Sequence, residues 1–434
     1  MPTRRAFLGA LRGPAAVAVG LRPDAVPRVL AALAASRAED HAPEEVARDE
    51  SLWFEVQQAF EVDRSILNLN NGGVCPSPRS VMSVLHRNLD FTNSAPAYAL
   101  WQVLEPRKET ARAGLARLFG CDAEEIAITR NASESRQILQ FGLDLKRGDE
   151  VVTTNQDYPR MLATFRQRER RDGIVLRQLS IPVPCEDPAE IVRRFEERIG
   201  PRTRAILLCH VINLTGQVLP VREICALAHK RGIPALVDGA HAFAHLAFTR
   251  DDLGCDTYAV SLHKWLLAPI GTGMLYLRRE TIRDYWPLMA APPEMDADIR
   301  KFEEIGTHPA APALAIAEAL AFHDGIGSRV KEARLLRLRN RWAERLLAAS
   351  DRVRLHTSLR PGFASGIGCF RVEGIESAAL GSHLWAKHKI FTTTIVHEEF
   401  EGIRVTPNVY TTLDDLDRFC EAVERAIREG IPTA

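Results

Sequence analysis

The stretch 203–242, TRAILLCHVINLTGQVLPVREICALAHKRGIPALVDGAHA, decides the fold of this chain. It begins with a continuous apolar run, passes through an amphipathic segment (VREICALAHKRG), and ends with a second apolar run that closes on Asp238. A short continuous apolar run is typical of a strand covered by helices on both faces, as parallel strands are. The stretch therefore predicts two parallel strands joined by a helix.

The same alternation extends in both directions from this unit. Helical patterns such as LEPRKETARAGLARLFG and AEIVRRFEERIG alternate with the strand-like runs EEIAITR, DEVVTTN, IVLRQLSIP, TYAVSLH and GTGMLYLRR. This alternation favours an α/β fold whose large domain has a mainly parallel seven-stranded sheet between helices.

After about residue 310 the pattern changes. The long helical segment SRVKEARLLRLRNRWAERLLAAS precedes strand-like runs near VRLHT, GIGCFRVEG, IFTTTIV and IRVTPN, with helical segments among and after them. This mixture predicts a smaller C-terminal α+β domain. We divide the chain into a leader (1–40), an N-terminal segment with a substrate-side loop (41–95), a large α/β domain (96–310) and a small domain (311–434).

The composition of the chain narrows the possible classes of protein only slightly. The chain has 434 residues, with 56 Lys+Arg and 56 Asp+Glu, and this balance gives no sign of a nucleic-acid partner. No apolar stretch reaches the ~18 residues that a membrane span needs. The eight cysteines are scattered without a C-x-x-C pair, so we expect free thiols in the core.

The leader resembles a twin-arginine export signal. Arg4 and Arg5 precede Phe7, Leu8 and a stretch of small apolar residues, and the first acidic residue is Asp24. We predict export to the periplasm by this route. The alternative is an ordinary basic leader on a cytoplasmic protein.

Polar residues follow several predicted strands, at the edge of the sheet where α/β proteins bind ligands. In TRNASES, Asn131, Ala132 and Ser133 open a helix, where free N–H groups suit an anion. A plain helix cap is the alternative. Tyr158 could stack on a planar ligand or lie in a surface turn, and Asn213 could bind a ligand or cap a turn.

Two further strands end in residues of opposite charge. Asp238 closes an apolar strand and needs a cationic partner if it is buried. Lys264 lies in SLHKW, where burial would lower its pKa and make it nucleophilic, unless its side chain reaches solvent. His241 and His245 have the spacing of a metal pair, but no third ligand is evident and we expect no metal.

A strand ending in aspartate, a strand ending in lysine and an anion-binding helix start together suit pyridoxal 5'-phosphate. The lysine would form a Schiff base, the carboxylate would keep the pyridine nitrogen protonated, and the helix start would bind the phosphate. A nicotinamide enzyme is disfavoured, because no G-x-G-x-x-G follows an early strand.

The motifs DGAHA, SLHKW and IRVTPNVYTTLDDLDRF resemble the class V aminotransferase family of fold type I pyridoxal-phosphate enzymes. LNNGGVCPSPRSV and FEEIGTHP are similar to its isopenicillin N epimerase-like branch, and the resemblance covers about residues 60 to 430. It implies a homodimer with shared active sites and a small amino-acid or peptide substrate.

The resemblance also implies a role for each matching residue. Lys264 would form the Schiff base and carry the α-proton, and Asp238 would pair with the pyridine nitrogen. The remaining cofactor contacts would be Ala132, Ser133, Tyr158, Asn213, His241, Ser261, His263 and, at the phosphate of the partner subunit, Thr307. Arg404 resembles the arginine that binds the substrate carboxylate, and the other residues on the substrate side would be Asn70, Asn71, Tyr98 and Trp101.

The reaction follows less directly from the residues. Proton removal from the α-carbon by Lys264 leads to epimerisation or racemisation, which we favour, and equally to amino transfer or lyase chemistry. A cysteine desulfurase would carry a nucleophilic cysteine shortly before the carboxylate-binding arginine, but TTTIVHEEFEGIR contains none. A non-catalytic protein that binds pyridoxal phosphate is the alternative outside enzymes.

Overall fold

A central sheet of seven strands positions most of the predicted site residues. The computed structural model describes residues 41–431. The strands of the chain are β1 (Leu67–Asn68), β2 (Ile126–Thr129), β3 (Glu150–Thr154), β4 (Val175–Leu179), β5 (Thr203–Cys209), β6 (Ala235–Asp238), β7 (Thr257–Ser261), β8 (Gly273–Leu277), β9 (Val353–Leu355), β10 (Gly368–Val372), β11 (Ile390–Phe391), β12 (Thr393–Val396) and β13 (Glu401–Val405).

The strand order in the central sheet is β2-β8-β7-β6-β5-β3-β4. β8 is antiparallel to both of its neighbours, and the other pairs in the sheet are parallel. Every strand of this sheet except β8 therefore ends at the same edge as β6, whose last residue is Asp238. The predicted α/β class, with a mainly parallel seven-stranded sheet and a separate C-terminal sheet, is confirmed.

Helices cover both faces of the sheet, as the apolar strands require. They are α1 (Pro43–Val46), α2 (Glu50–Gln58), α3 (Arg79–Ser94), α4 (Lys108–Phe119), α5 (Ala132–Gly142), α6 (Pro159–Asp172), α7 (Pro188–Arg198), α8 (Val221–Lys230), α9 (Arg250–Leu253), α10 (Ala311–Ile326), α11 (Ser328–Ala349), α12 (Ser377–His388) and α13 (Leu413–Glu429). A π-helical turn spans Tyr98–Leu104. Two separate apolar clusters fill the space between the sheet and these helices, one containing Phe119 and the other Phe165.

The C-terminal part forms a second sheet, with the antiparallel order β12-β13-β10-β9. Its core packs Trp342 of α11 against Phe370 and Phe419, with ring centroids 5.6 Å and 6.0 Å from the tryptophan. The N-terminal segment joins this part, because β1 pairs in parallel with β11. This pairing carries the segment after β1 toward β13, where it contacts the site.

Two local predictions differ from the structure. The run IFTTTIV forms two strands, β11 and β12, that belong to different sheets. The segment 311–326 forms α10, a helix that the pattern did not predict; it packs against α3 and α4 and contributes Ile316 and Phe322 to the core of the large sheet. Our division at residue 310/311 remains a proposal.

The eight cysteines are free thiols, and all except Cys121 are buried, as predicted. No helix within residues 41–431 is long and apolar enough to cross a membrane. The predicted export signal lies outside the described residues.

Candidate active site

A cavity of about 470 Å³ lies at the carboxyl ends of the strands of the central sheet. Loops after β2, β3, β5, β6 and β7 form its walls, and β13 contributes from the C-terminal sheet. Ten of the predicted site residues line it: Ala132, Ser133, Tyr158, Asn213, Asp238, His241, Ser261, His263, Lys264 and Arg404. Residues from six strands thus converge on one site.

The other predicted site residues lie elsewhere in the single chain. Thr307 and Trp101 line a separate cleft, and the side chains of Tyr98 and Trp101 are 65% and 54% exposed. Asn71 is fully buried, and its side chain accepts a hydrogen bond from the Tyr410 hydroxyl at 2.6 Å. The roles assigned to these residues remain predictions, while Asn70 reaches the cavity through Arg404.

Lys264 lies just beyond β7, and its Nζ is 3.0 Å from His241 Nε2. Burial is the largest cause that lowers the pKa of Lys264, to about 8, and the neighbouring Arg404 lowers it further. Burial and the nearby Lys264 also hold the pKa of His241 well below its usual range. His241 is therefore neutral at pH 7, and Lys264 has a larger neutral fraction than an ordinary lysine; the neutral amine is the nucleophilic form of lysine.

The indole of Trp265 defines the orientation of His241. Trp265 Nε1 lies 3.4 Å from His241 Nδ1 and donates a hydrogen bond to it. Because Nδ1 accepts this bond in the neutral ring, the proton of His241 resides on Nε2, the atom that faces Lys264. The His241 ring thus presents a hydrogen-bond donor to the cavity.

His245 does not form a metal site with His241. Its Nδ1 donates to the carbonyl oxygen of His241 at 2.8 Å, and its Nε2 accepts from the Gly366 N–H at 2.8 Å. Both ring nitrogens are therefore occupied by protein groups. Within residues 41–431 no group of three histidine, cysteine or acidic side chains is arranged to hold a metal ion.

Asp238 ends β6 and has a partner that the sequence analysis missed. Arg136 Nη1, on α5, lies 3.1 Å from Asp238 Oδ2. The same guanidinium lies 3.6 Å from Asp157 Oδ1. Asp238 Oδ1 also accepts a hydrogen bond from the Ala240 N–H at 2.8 Å, which fixes the carboxylate at the cavity wall.

The start of α5 forms the opposite end of the cavity. Asn131 caps the helix, since its Oδ1 accepts a hydrogen bond from the Glu134 N–H at 2.9 Å. The N–H group of Ala132, the first residue of α5, donates to Ser261 Oγ at 2.9 Å. His263 Nδ1 is buried and has no hydrogen-bond partner in the described part of the chain. The Ser261 hydroxyl hydrogen and, when it carries a proton, His263 Nδ1 are available to donate to an anion such as a phosphate group beside the helix start.

Arg404 enters from β13, in the C-terminal sheet. Its Nη2 donates to Asn70 Oδ1 at 2.8 Å, and its Nη1 donates to the Asn213 carbonyl oxygen at 2.8 Å. Burial lowers its pKa to about 10, so the guanidinium is charged at neutral pH. A buried guanidinium that lines a cavity can bind a carboxylate. Gly72 and Gly73, from LNNGG, also line this side and were not singled out in the sequence.

These groups fit pyridoxal 5'-phosphate. The cavity joins an anion-binding helix start, a carboxylate at a strand end, and a buried lysine with a lowered pKa. The side-chain oxygen of Asn213 is buried without a hydrogen-bond partner in residues 41–431, as expected where a polar ligand would supply one.

Comparisons with known proteins identify the family of this chain. The sequence profile of the family described as "Aminotransferase class-V" matches residues 69–419. An isopenicillin N epimerase from Streptomyces clavuligerus is 31% identical over 397 residues, which are 86% of this chain and 98% of that protein. A probable cysteine desulfurase from Pseudomonas aeruginosa is 30% identical over 343 residues, covering 74% of this chain and 82% of that protein.

A solved structure shares the fold. It is described as a mutant of C-DES with glycine covalently linked to the PLP cofactor, and it superposes with a TM-score of 0.74 at 23% sequence identity. The alignment covers 83% of this chain and 97% of that one. Together with the match over residues 69–419, these findings show that the chain belongs to the class V aminotransferase family of pyridoxal-phosphate-dependent enzymes.

Proposed function

We propose that this enzyme inverts the configuration at the α-carbon of an amino acid, or of a peptide that carries a free α-amino group. The single observation that carries the proposal is the match to isopenicillin N epimerase over 98% of that protein's length. The arrangement of Lys264, His241 and Arg404 around one cavity supports it.

Each end of the cavity has a separate binding task in this proposal. Ala132, Ser133, Ser261 and His263 would hold the cofactor phosphate, Asp238 would pair with the ring nitrogen, and Tyr158 and Asn213 would contact the ring. When bound, pyridoxal phosphate supplies an aldehyde that condenses with amines and a ring that withdraws electrons from the α-carbon.

Lys264 holds and moves the α-proton. Its pKa of about 8 leaves a minor fraction neutral at pH 7, larger than in an ordinary lysine, so its Nζ can accept a proton; inversion results when the proton returns to the opposite face of the α-carbon. His241 Nε2–H, 3.0 Å away, orients the lysine nitrogen. Arg404 binds the substrate carboxylate, and its contacts with Asn70 and Asn213 fix the direction of the guanidinium.

The thiols of the chain argue against desulfurase chemistry. Cys209 is the cysteine that lines the cavity, and burial raises its pKa well above the usual value. Burial raises the pKa of both Cys75 and Cys369 to about 12. A protonated thiol is a poor nucleophile, so none of these three is suited to accept sulfur from a substrate.

The shared-site homodimer is part of the same proposal. The aromatic side chains of Tyr98 and Trp101 are exposed in the single chain, and exposed aromatic groups favour contact with a second protein surface. We propose that this region contacts a second copy and brings Thr307 to the neighbouring phosphate. Sedimentation of the purified protein should show a dimer, and a monomer that is fully active would contradict it.

Incubation of the loaded enzyme in heavy water tests the reaction. Single enantiomers of amino acids and short peptides are added, α-proton loss is followed by NMR, and configuration by chiral chromatography. We expect α-deuteration with appearance of the opposite configuration, without a 2-oxo acid. Amino transfer to an added 2-oxo acid with retained configuration would favour an aminotransferase, and alanine formation from cysteine would favour a desulfurase.

A further inference from the structure

Behind the cavity wall lies a buried group of three charges, which we call the Arg136 triad: Arg136, Asp157 and Asp238. The side chains of Arg136 and Asp157 are both 0% exposed and do not line the cavity, whereas Asp238 does. Arg136 lies 3.1 Å from Asp238 and 3.6 Å from Asp157, so it bridges the two carboxylates.

The triad is unfavourable for the stability of the folded protein. None of the three side-chain nitrogens of Arg136 makes an aligned hydrogen bond in the described part of the chain, and neither does Asp157 Oδ2. Buried charges with unfilled hydrogen bonds are destabilising, and apolar residues of similar size often replace such groups without loss. Arg136 and Asp157 lie directly behind Asp238, the member of the triad that lines the cavity, and this position favours a role in ligand binding.

The charge balance gives that role. Arg136 and Asp238 together have zero net charge, so this pair alone offers no net negative charge to a protonated ring nitrogen. Asp157 adds one negative charge when ionised. Burial and the nearby Asp238 raise the pKa of Asp157 to about 6, against the opposing effect of Arg136. Asp157 is therefore largely ionised at pH 7 and protonated below pH 6.

Within residues 41–431, the groups that act most strongly on Asp157 include one cation, Arg136. Cys209, on β5, has a raised pKa and stays a neutral thiol. The Tyr158 N–H donates to Asp157 Oδ1 at 2.8 Å and carries no net charge. Arg136, on α5, and Asp238, on β6, are the charged neighbours.

We propose that Asp157 supplies the net negative charge with which Asp238 keeps the ring nitrogen of pyridoxal phosphate protonated, and that Arg136 bridges the two carboxylates and holds them at the cavity wall. Asp157 and Arg136 act through Asp238 and are positioning residues. The inference rests on the cofactor of the family and not on the proposed epimerisation, so the two can fail separately.

The test compares two ligands that differ at one atom. Apo protein is titrated with pyridoxal phosphate and with its 1-deaza analogue, in which carbon replaces the ring nitrogen. Asp157→Asn should weaken binding of pyridoxal phosphate by about tenfold or more, because one opposing charge commonly shifts a pKa by a unit or more. Its affinity for the analogue should stay within about twofold of the wild-type value, since the analogue has no nitrogen to protonate.

A double variant adds a rescue. Arg136→Met with Asp157→Asn leaves Asp238 alone with one net negative charge, so it should bind pyridoxal phosphate more tightly than Asp157→Asn does. The matched control is Asp256→Asn, a carboxylate just before β7 at the opposite end of the sheet, paired with Arg278 at 2.7 Å. This control should bind both ligands as the wild type does.

The inference would be overturned if Asp157→Asn weakened the binding of both ligands equally or did not weaken it at all. It would also be overturned if the double variant bound pyridoxal phosphate more weakly than Asp157→Asn does. If the variants do not fold, the wild type suffices. Its preference for pyridoxal phosphate over the analogue should fall as the pH drops from 7 to 5, because phosphate and histidine titrations affect both ligands alike. A preference that stays constant from pH 7 to 5 would overturn the inference and leave the cofactor assignment intact. A wild type that binds neither ligand would overturn the cofactor assignment as well.

Discussion

Two regions of the molecule bury a lysine and an arginine, and only one of these pairs lies in the cavity. Lys264 and Arg404 line the cavity, and burial lowers their pKa values to about 8 and about 10. Lys331 and Arg339, both on α11, have pKa values lowered by burial to about 7 and about 10. Burial and a lowered pKa therefore do not by themselves distinguish the cations that line the cavity from those that do not.

The partners of the four cations make the difference. Lys331 Nζ donates to the Trp265 carbonyl oxygen, and Arg339 Nη1 donates to the Ala364 and Ser365 carbonyl oxygens at 3.1 Å and 2.8 Å. These hydrogen bonds connect α11 to backbone carbonyl groups of other segments, and the two cations do not line the cavity. Lys264 instead faces a titratable ring and open volume, which is what a nucleophile needs.

Substituting each of the two lysines in turn should give the largest difference between the two regions. Lys264→Ala should abolish covalent attachment of the cofactor and lower kcat by about 10³-fold or more, because the proton carrier is lost. Lys331→Met should keep the attachment. Borohydride reduction of each loaded protein, followed by mass analysis of its peptides, locates the adduct. An adduct on Lys331 in the wild type would break the comparison.

The two arginines should separate binding from stability. Arg404→Lys should raise KM for substrates with a free carboxylate by about 10- to 100-fold, since charge-assisted hydrogen bonds contribute roughly 1.5–3 kcal/mol. Arg339→Lys should lower the melting temperature and leave KM unchanged. Steady-state kinetics with an acid and its amide provide the measurement, because the amide should bind equally poorly to both the wild type and Arg404→Lys. Equal losses for acid and amide in Arg404→Lys would contradict the role.

Lys331 should make stability depend on pH. Its folded-state pKa of about 7 lies below the ordinary value of 10.5, so the unfolded chain binds more protons between these values. The free energy of unfolding therefore rises with pH from about 7 to about 10.5, by at most about 5 kcal/mol from this group. In Lys331→Met the rise should shrink. Urea unfolding of the apo proteins at several pH values measures it, and parallel curves for both proteins would contradict the assignment.

The sequence pattern predicted the cavity better than its surroundings. Parallel strands end at one edge, so Tyr158, Asp238 and Lys264 could be brought together from strand ends alone, although more than 100 residues separate the first from the last. Arg136 and Asp157 were missed because their roles depend on contacts between α5, β6 and the loop after β3. A single arginine in a helix has no periodic signal that marks it as facing a carboxylate.

The same limit explains the missed helix α10. Its sequence, APALAIAEALAFHDGI, is apolar nearly all round, so it lacks the amphipathic period by which surface helices are predicted. The helix packs against α3 and α4 and lies partly in the core, where such a composition is stable. Thr307 and Trp101 line a separate cleft in the single chain, and the site roles of Thr307, Tyr98 and Trp101 remain predictions.

The smallest expected effect comes from Trp265, which connects the two regions: its carbonyl oxygen binds Lys331 and its indole binds His241. Trp265→Phe removes the donor to His241 Nδ1, so the ring can place its proton there and accept from a protonated Lys264 through Nε2. Hydrogen bonding to the charged form raises a pKa, so the pKa of Lys264 should rise by about half a unit.

The rate of cofactor attachment to the apo protein reports this change, because the neutral amine reacts. In the wild type the rate should increase with pH and level off above about 8, and in Trp265→Phe the midpoint should move to higher pH. Trp342→Phe is the matched control, since this buried indole has no hydrogen-bond partner in the described residues. An unchanged midpoint in Trp265→Phe would show that the His241 tautomer is set by other contacts, and the two buried regions would then act independently.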